Sequence, residues 1–270
     1  MNRNRFYHAG LGFSYLDTGG PGRILIALHA HWMQATTFAP LAQALSPEWR
    51  VIALDQRGHG DSDRAISYTR DDYRGDLAAL MDQLAIDRAV LLGHALGGVN
   101  TYQFAARNPG RVEALIVEDA GAVIQEDTLF SLDWAGCFSS RRVLSERFDP
   151  QLRPYLLDSM RDSPAGAHLA FYPQDTVMSG QLLNGDHWAD WLASRCPALL
   201  IRGRDNRFSV EAEFGQMAAR RPNTALVTLA GGHAVHHDNP AGFLAVVREF
   251  LGRLPSPETV EARASDEGSS

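Results

Sequence analysis

Short apolar runs alternate along this chain with segments of helical spacing, and that alternation limits its fold more than any other feature. ILIALHA (24–30), WRVIALD (49–55), AVLLG (89–93), VEALIVED (112–119), CPALLIRGR (196–204) and TALVTLA (224–230) each read as a strand. Runs of this length without polar alternation suit strands buried on both faces, as in a parallel sheet covered by helices. Between them, FAPLAQALS (38–46), YTRDDYRGDLAALMDQLAI (68–86), LGGVNTYQFAARNP (96–109) and a segment near 210–221 read as helices. Thr69, with Asp72 three residues later, predicts a helix start; Asn239 and Pro240 predict the cap and first position of the last helix, AGFLAVVREFLGRL (241–254). GLGFSYLD (10–17) adds a strand, closed by the turn TGGPG (18–22). Such an α/β order places functional sites at the carboxyl ends of the strands.

The alternation breaks over 120–190. That stretch holds short helical pieces with many aromatics, among them Phe130, Trp134, Phe138, Tyr155, Phe171 and Trp188, punctuated by Pro150, Pro154, Pro164 and Pro173. It predicts a helical insertion rather than sheet. The expected organisation is a core of residues 1–120 and 191–254, a helical cap over 121–190, and a polar tail, PSPETVEARASDEGSS (255–270), expected to be disordered. There is no internal repeat. A formal net charge of −7 argues against a nucleic-acid partner and against a polybasic membrane contact. Two distant cysteines, Cys137 and Cys196, suggest a reducing compartment rather than a disulfide framework. No long apolar run follows the basic residues near the start, so neither a signal peptide nor a membrane span is expected, and a cytoplasmic protein is.

GHALGG (93–98) lies between the strand AVLLG and a helix. Acyl-transfer chemistry uses a strained strand-to-helix turn of this kind to present a nucleophile at its apex. Here the apex is Ala95, which has no nucleophilic atom, while Gly93, Gly97 and Gly98 supply the small flanking positions. A glycine turn alone carries no chemistry; the other parts of such a site follow in order. LHAHWM (28–33) ends a buried strand, where the backbone N–H of His31 could join that of Leu96 as an oxyanion hole. The side chains of His29 and His31 are expected to bond backbone as ordinary loop or core histidines. His233, in GGHAVHHDNP (231–240), stands where a general base could reach the turn. Asp119 and Asp205 are the candidate carboxylates to orient it. Glu118 comes third, because neighbours on a strand point to opposite faces.

Through these motifs and the glycine loop after the second buried strand, the chain resembles the α/β-hydrolase fold family over roughly residues 10–254. LHAHW is similar to the family's oxyanion strand, DQRGHGDS (55–62) to its Asp-x-Arg-Gly-x-Gly-x-Ser loop, GHALGG to its Gly-His-Ser-x-Gly-Gly elbow, and GGHAVHHDNP to its histidine loop. The resemblance implies an α/β-hydrolase fold: a mostly parallel central sheet flanked by helices, with a helical cap insertion. It also implies a Ser-His-Asp hydrolase, such as an esterase, acting on a small carbonyl substrate (ester, lactone, amide or activated C–C bond). The chain departs from the pattern at three places. Ala30 replaces a glycine, Ala95 stands at the serine, and the family's usual acid position holds Asn206. Some members place the acid before the insertion instead, and Asp119 in VEDAG fits that arrangement better than Asp205 fits the usual one.

Two readings of Ala95 stay open: an inactivated variant of a serine hydrolase, or a natural non-hydrolytic enzyme or binding module that uses His233 for proton transfer. No metal and no cofactor are expected, since the histidines of HAHWM lack the spaced carboxylate of a hydrolytic metal site. Arg57, in the glycine loop, is expected to bury its guanidinium against backbone carbonyls; without a P-loop lysine that loop is no phosphate cradle. Trp32 and Trp134 are the candidate substrate-binding aromatics, most others being expected to form the insertion's own core. Oligomeric state and substrate identity leave no mark that the sequence makes legible.

Overall fold

The computed structural model describes residues 1–206 and 209–255. The tail expected to be disordered lies, beyond Pro255, outside the described residues.

The sheet contains β1 (Asn2–His8), β2 (Leu11–Asp17), β3 (Arg23–Leu28), β4 (Trp49–Leu54), β5 (Ala89–His94), β6 (Val112–Glu118), β7 (Ala198–Gly203) and β8 (Thr224–Leu229), in the spatial order β1-β2-β4-β3-β5-β6-β7-β8. From β4 to β8 all neighbours run parallel; β1 and β2 are antiparallel additions at one edge. The central strands are buried throughout, which is why they read as continuous apolar runs.

Helices α1 (Ala39–Leu45), α2 (Arg70–Gln83), α3 (Leu96–Arg107), α5 (Glu211–Arg220) and α6 (Pro240–Gly252) accompany the sheet, while α4 (Pro173–Leu183) lies within the 121–190 segment and packs on Leu129–Trp134. Tyr73, Leu77, Leu80, Val99, Tyr102, Phe214 and Met217 pack on one face of the sheet, and Phe38, Leu41, Phe243, Val247 and Leu251 on the other. The expected starts are present. Thr69 and Asp72 form a reciprocal capping box, and the Asn239 side chain accepts the N–H of Gly242.

One strand lies outside the sequence reading, and one expectation needs correction. β1 gave no sequence signal because only Phe6 of NRNRFYH is buried; its charged residues suit an exposed edge strand. The insertion is also not wholly helical. Met160–Ser163 pairs with Gly166–Leu169, and Val123–Ile124 with Gly185–Asp186. Strands of two to four residues are too short to show a period.

The sheet order reverses between β3 and β5, since β3 leads to β4 on one side while β5 lies on the other. A crevice opens at such a switch point, and the loops after β3 and β5 are the ones that carry His31 and Ala95. The glycine loop packs behind the β3 loop, the His59 ring lying 5.2 Å from that of His29 and 6.2 Å from that of His31. Arg57 binds the Ser67 and Asp72 carbonyls, as expected, and also both carboxylate oxygens of Asp76 at 2.7 and 2.8 Å. Gln56 ties the loop to β3: its backbone N–H donates to His29 Nε2 at 3.0 Å, and its side-chain amide donates to the His29 carbonyl at 2.6 Å.

His29 and His59 are fully buried and neutral, burial pushing their pKa values down to about 4 and about 3. His29 Nε2 already accepts a hydrogen bond, and His59 Nε2 is buried with no partner among the described residues, so neither nitrogen can take a proton at low cost. The folded chain therefore binds fewer protons than the unfolded one as pH falls below about 6.5. Between pH 7 and 5 each histidine is expected to remove about 2 kcal/mol of stability, read as a falling thermal midpoint. His29→Gln should flatten part of that dependence.

Candidate active site

The turn after β5 is a strained elbow. Ala95 has φ 47° and ψ −111°, outside every basin an alanine prefers, at a cost of about 1–3 kcal/mol. It is held there from both sides: its N–H donates to the Glu118 carbonyl, and its carbonyl accepts the N–H of Val99. The glycines around it are required by close approach. A Cβ on Gly93 would strike the Gly97 carbonyl, and one on Gly97 would strike the carbonyls of Leu28 and His29. Gly97→Ala is thus expected to destabilise the fold by about 3 kcal/mol, because backbone rather than side chain must give way; urea unfolding measures this.

Asp119 and His233 meet at the elbow. His233 Nδ1 lies 3.0 Å from Asp119 Oδ2. Asn206, at the position where the family resemblance puts an acid, donates its amide N–H to the same carboxylate oxygen. Asp205 is exposed and takes the backbone N–H of Gly231 instead. Asp119 has a fully buried side chain and a positive φ of 49°. Burial is the largest influence on His233 and pushes its pKa down. The hydrogen bond and charge of Asp119, with Glu118 and Glu126, outweigh it and bring the pKa above the usual value. His94, buried and held neutral by its burial, bonds the His233 carbonyl through Nε2 at 2.8 Å and so fixes the loop.

A pocket joins these groups. It is lined by Ala30, His31, Trp32, Met33, His94, Ala95, Glu126 and His233, and is closed by Leu152, Tyr155 and Leu156. Its room for the centres of water molecules is about 30 Å³, enough for one or two waters. Among the described residues no backbone acceptor takes the N–H of His31 or of Leu96, the first residue of α3. Trp32, with φ 66°, is in the pocket wall, and its buried indole N–H finds no acceptor among the described residues.

A sequence model described as the alpha/beta hydrolase family matches residues 19–246. The chain belongs to the alpha/beta hydrolase family. It is 26% identical over 252 residues to 2-(acetamidomethylene)succinate hydrolase of Mesorhizobium japonicum, covering 86% of this chain and 89% of that one. It is 33% identical over 280 residues to protein Mb2734 of Mycobacterium bovis, covering 90% and 79%. Among solved structures, that of E-2-(acetamidomethylene)succinate hydrolase superposes with a TM-score of 0.82 at 24% identity, covering 93% of this chain and 99% of that one. The mostly parallel sheet with flanking helices is thus the fold of a hydrolase family.

This hydrolase-family chain differs from its sequence-based reading in two side chains. Trp134 does not reach the Ala95 pocket. It is 2% exposed in the cap core, where it bonds the Arg147 carbonyl and packs edge-on against Trp32; the wall it touches belongs to a separate groove of about 900 Å³. His31 does not bond backbone, as His29 does. Its Nδ1 lies 3.1 Å from both Glu126 oxygens, its Nε2 lies 2.9 Å from Ser179 Oγ on α4, and Ser179 lies 2.9 Å from the Tyr73 hydroxyl. One assignment satisfies every group: Tyr73 donates to Ser179, Ser179 to His31 Nε2, and His31 Nδ1–H to Glu126. Ser179, His31 and Glu126 copy the connectivity of a triad, but Ser179 is fully buried and outside the pocket, so it tethers the cap.

Glu118 points away from Asp119, as strand alternation requires. It accepts the Nδ1–H and backbone N–H of His236, whose Nε2 lies 2.6 Å from Thr37 Oγ1. Among the described residues, His94, Glu118 and His236 are the group whose potential ligand atoms lie within 4.8 Å of one another. Glu118 and His236 already satisfy each other through the atoms a metal would need. Among the described residues no helix is long and apolar enough to cross a membrane.

Proposed function

We propose that this chain is a hydrolase-fold protein for a small carbonyl substrate, an ester, lactone, amide or activated C–C bond, with a Ser-His-Asp site that lacks only the nucleophile's oxygen. The observation carrying this reading is the Asp119–His233 contact of 3.0 Å beside a strained elbow whose apex is Ala95. With Nδ1 engaged by Asp119, proton transfer falls to His233 Nε2. The N–H groups of His31 and Leu96 hold the oxyanion of a tetrahedral intermediate. Trp32 forms part of the substrate wall. With alanine at position 95 no acyl-enzyme can form, so the covalent route is closed while binding and oxyanion stabilisation remain.

The test is Ala95→Ser assayed with p-nitrophenyl acetate and with short lactones and amides. A burst of one product equivalent per chain, and labelling of position 95 by a fluorophosphonate, are expected. The absence of both burst and label would overturn the proposal. A second reading, proton transfer by His233 without a covalent intermediate, draws support from the buried Asp119 carboxylate persisting where there is no serine to activate.

A further inference from the structure

The Ala95 pocket contains a carboxylate that no step above uses. Glu126 enters from the segment leading into the cap, and its carboxylate lines the same small pocket as Ala95 and His233. Both its oxygens face His31 Nδ1, and the Tyr73–Ser179–His31 series fixes that imidazole with its N–H toward the carboxylate. Its side chain is 26% exposed. Burial alone would push its carboxyl pKa up; His31, His233 and Arg70 outweigh that and hold it below the usual range, so it is ionised. A carboxylate and an imidazole thus share a space that admits one or two waters, lined by His31 of the loop after β3 and Ala95 of the elbow.

We propose that Glu126 and His233 together orient and activate a water in this pocket, so that the chain with Ala95 hydrolyses its carbonyl substrate directly. This rests on the reading of the site as one for carbonyl substrates. The space left by the absent hydroxyl is where the water sits. Its oxygen adds to the carbonyl carbon while His233 Nε2 takes one proton, and Glu126 accepts a hydrogen bond from the other, aiming the lone pair. The carbonyl π electrons become an oxyanion held by the His31 and Leu96 N–H groups. When the oxyanion collapses, the bond to the leaving group breaks and His233 returns its proton there. The net reaction adds one water across the acyl bond and leaves both residues as they began. Without Glu126 the water keeps its base but loses its orientation, and orientation of a reacting atom governs rate more than binding.

The test uses the chain as it stands. With p-nitrophenyl acetate it should turn over without a burst, with no acyl adduct by intact mass and a solvent isotope effect of about 2, as expected when a proton moves in the limiting step. Glu126→Gln should lower kcat about 30-fold with KM nearly unchanged, and Glu126→Asp should restore part of the loss. A thermal melt shows whether either variant is simply misfolded. A burst from Ala95→Ser without Glu126-dependent turnover by the Ala95 chain would overturn this inference alone. Turnover by neither chain would overturn it together with the proposed function.

Discussion

Ala95→Ser is expected to raise kcat/KM for a short-chain aryl ester by about 10³-fold or more over the Ala95 chain. In serine hydrolases generally, removing the nucleophile costs about 10⁶ in kcat, and the remaining oxyanion hole and binding still supply about 10³–10⁴ over water. The gain here starts from that residual level and from the water route, so it is smaller than the full loss. The elbow needs no rearrangement to accept the hydroxyl. Position 95 already holds φ 47° and ψ −111°, and the flanking glycines already make the close contacts with Leu28, His29 and Gly97. The strain is thus present before the oxygen arrives. Stopped-flow release of p-nitrophenolate separates the burst from steady turnover. A rate within tenfold of the Ala95 chain would mean that the substituted hydroxyl does not reach His233.

In that serine background, Asp119→Asn is expected to lower kcat/KM by about 10⁴, the loss seen when a triad acid becomes an amide and the histidine turns to the wrong tautomer. Asp119 Oδ2 accepts from His233 Nδ1 and from the Asn206 amide. An asparagine amide there would place donor against donor. The pH profile should change as well. Burial pushes the His233 pKa down, but Asp119 and the neighbouring carboxylates bring it above 6.5. The neutral imidazole is the base, so activity rises with pH through a midpoint above about 6.5. Removing the negative charge of Asp119 leaves burial to dominate, so the midpoint should move below 6.5. A midpoint that stays in place would show that the profile reports another group than His233.

The glycine pattern, the histidine loop and the apolar runs were legible because they are local. A buried strand needs consecutive apolar residues, a strained turn needs glycines at fixed offsets, and a helix start needs its cap. Each requirement acts within a few residues of chain, so alternation, elbow and α2, α3 and α6 could be read directly. Edge strand β1 and the short cap strands escaped because their partners, not their own composition, make them strands.

Side-chain partnership was not legible in the same way. Asp119 and Asp205 were both plausible partners of His233 by order in the chain, and only packing puts Asp119 at 3.0 Å and leaves Asp205 at the surface. Trp32 and Trp134 touch each other, yet one lines the pocket and the other fills the cap core. The sequence by itself determined the fold class, the strained turn and the absence of a nucleophilic atom at its apex. Only the tertiary structure decided that Glu126, 95 residues from His31, joins it at 3.1 Å in the same pocket. The reason is physical. Backbone conformation follows from neighbours in sequence, whereas the field and the company of an ionisable group are set by whatever the fold brings within a few ångströms.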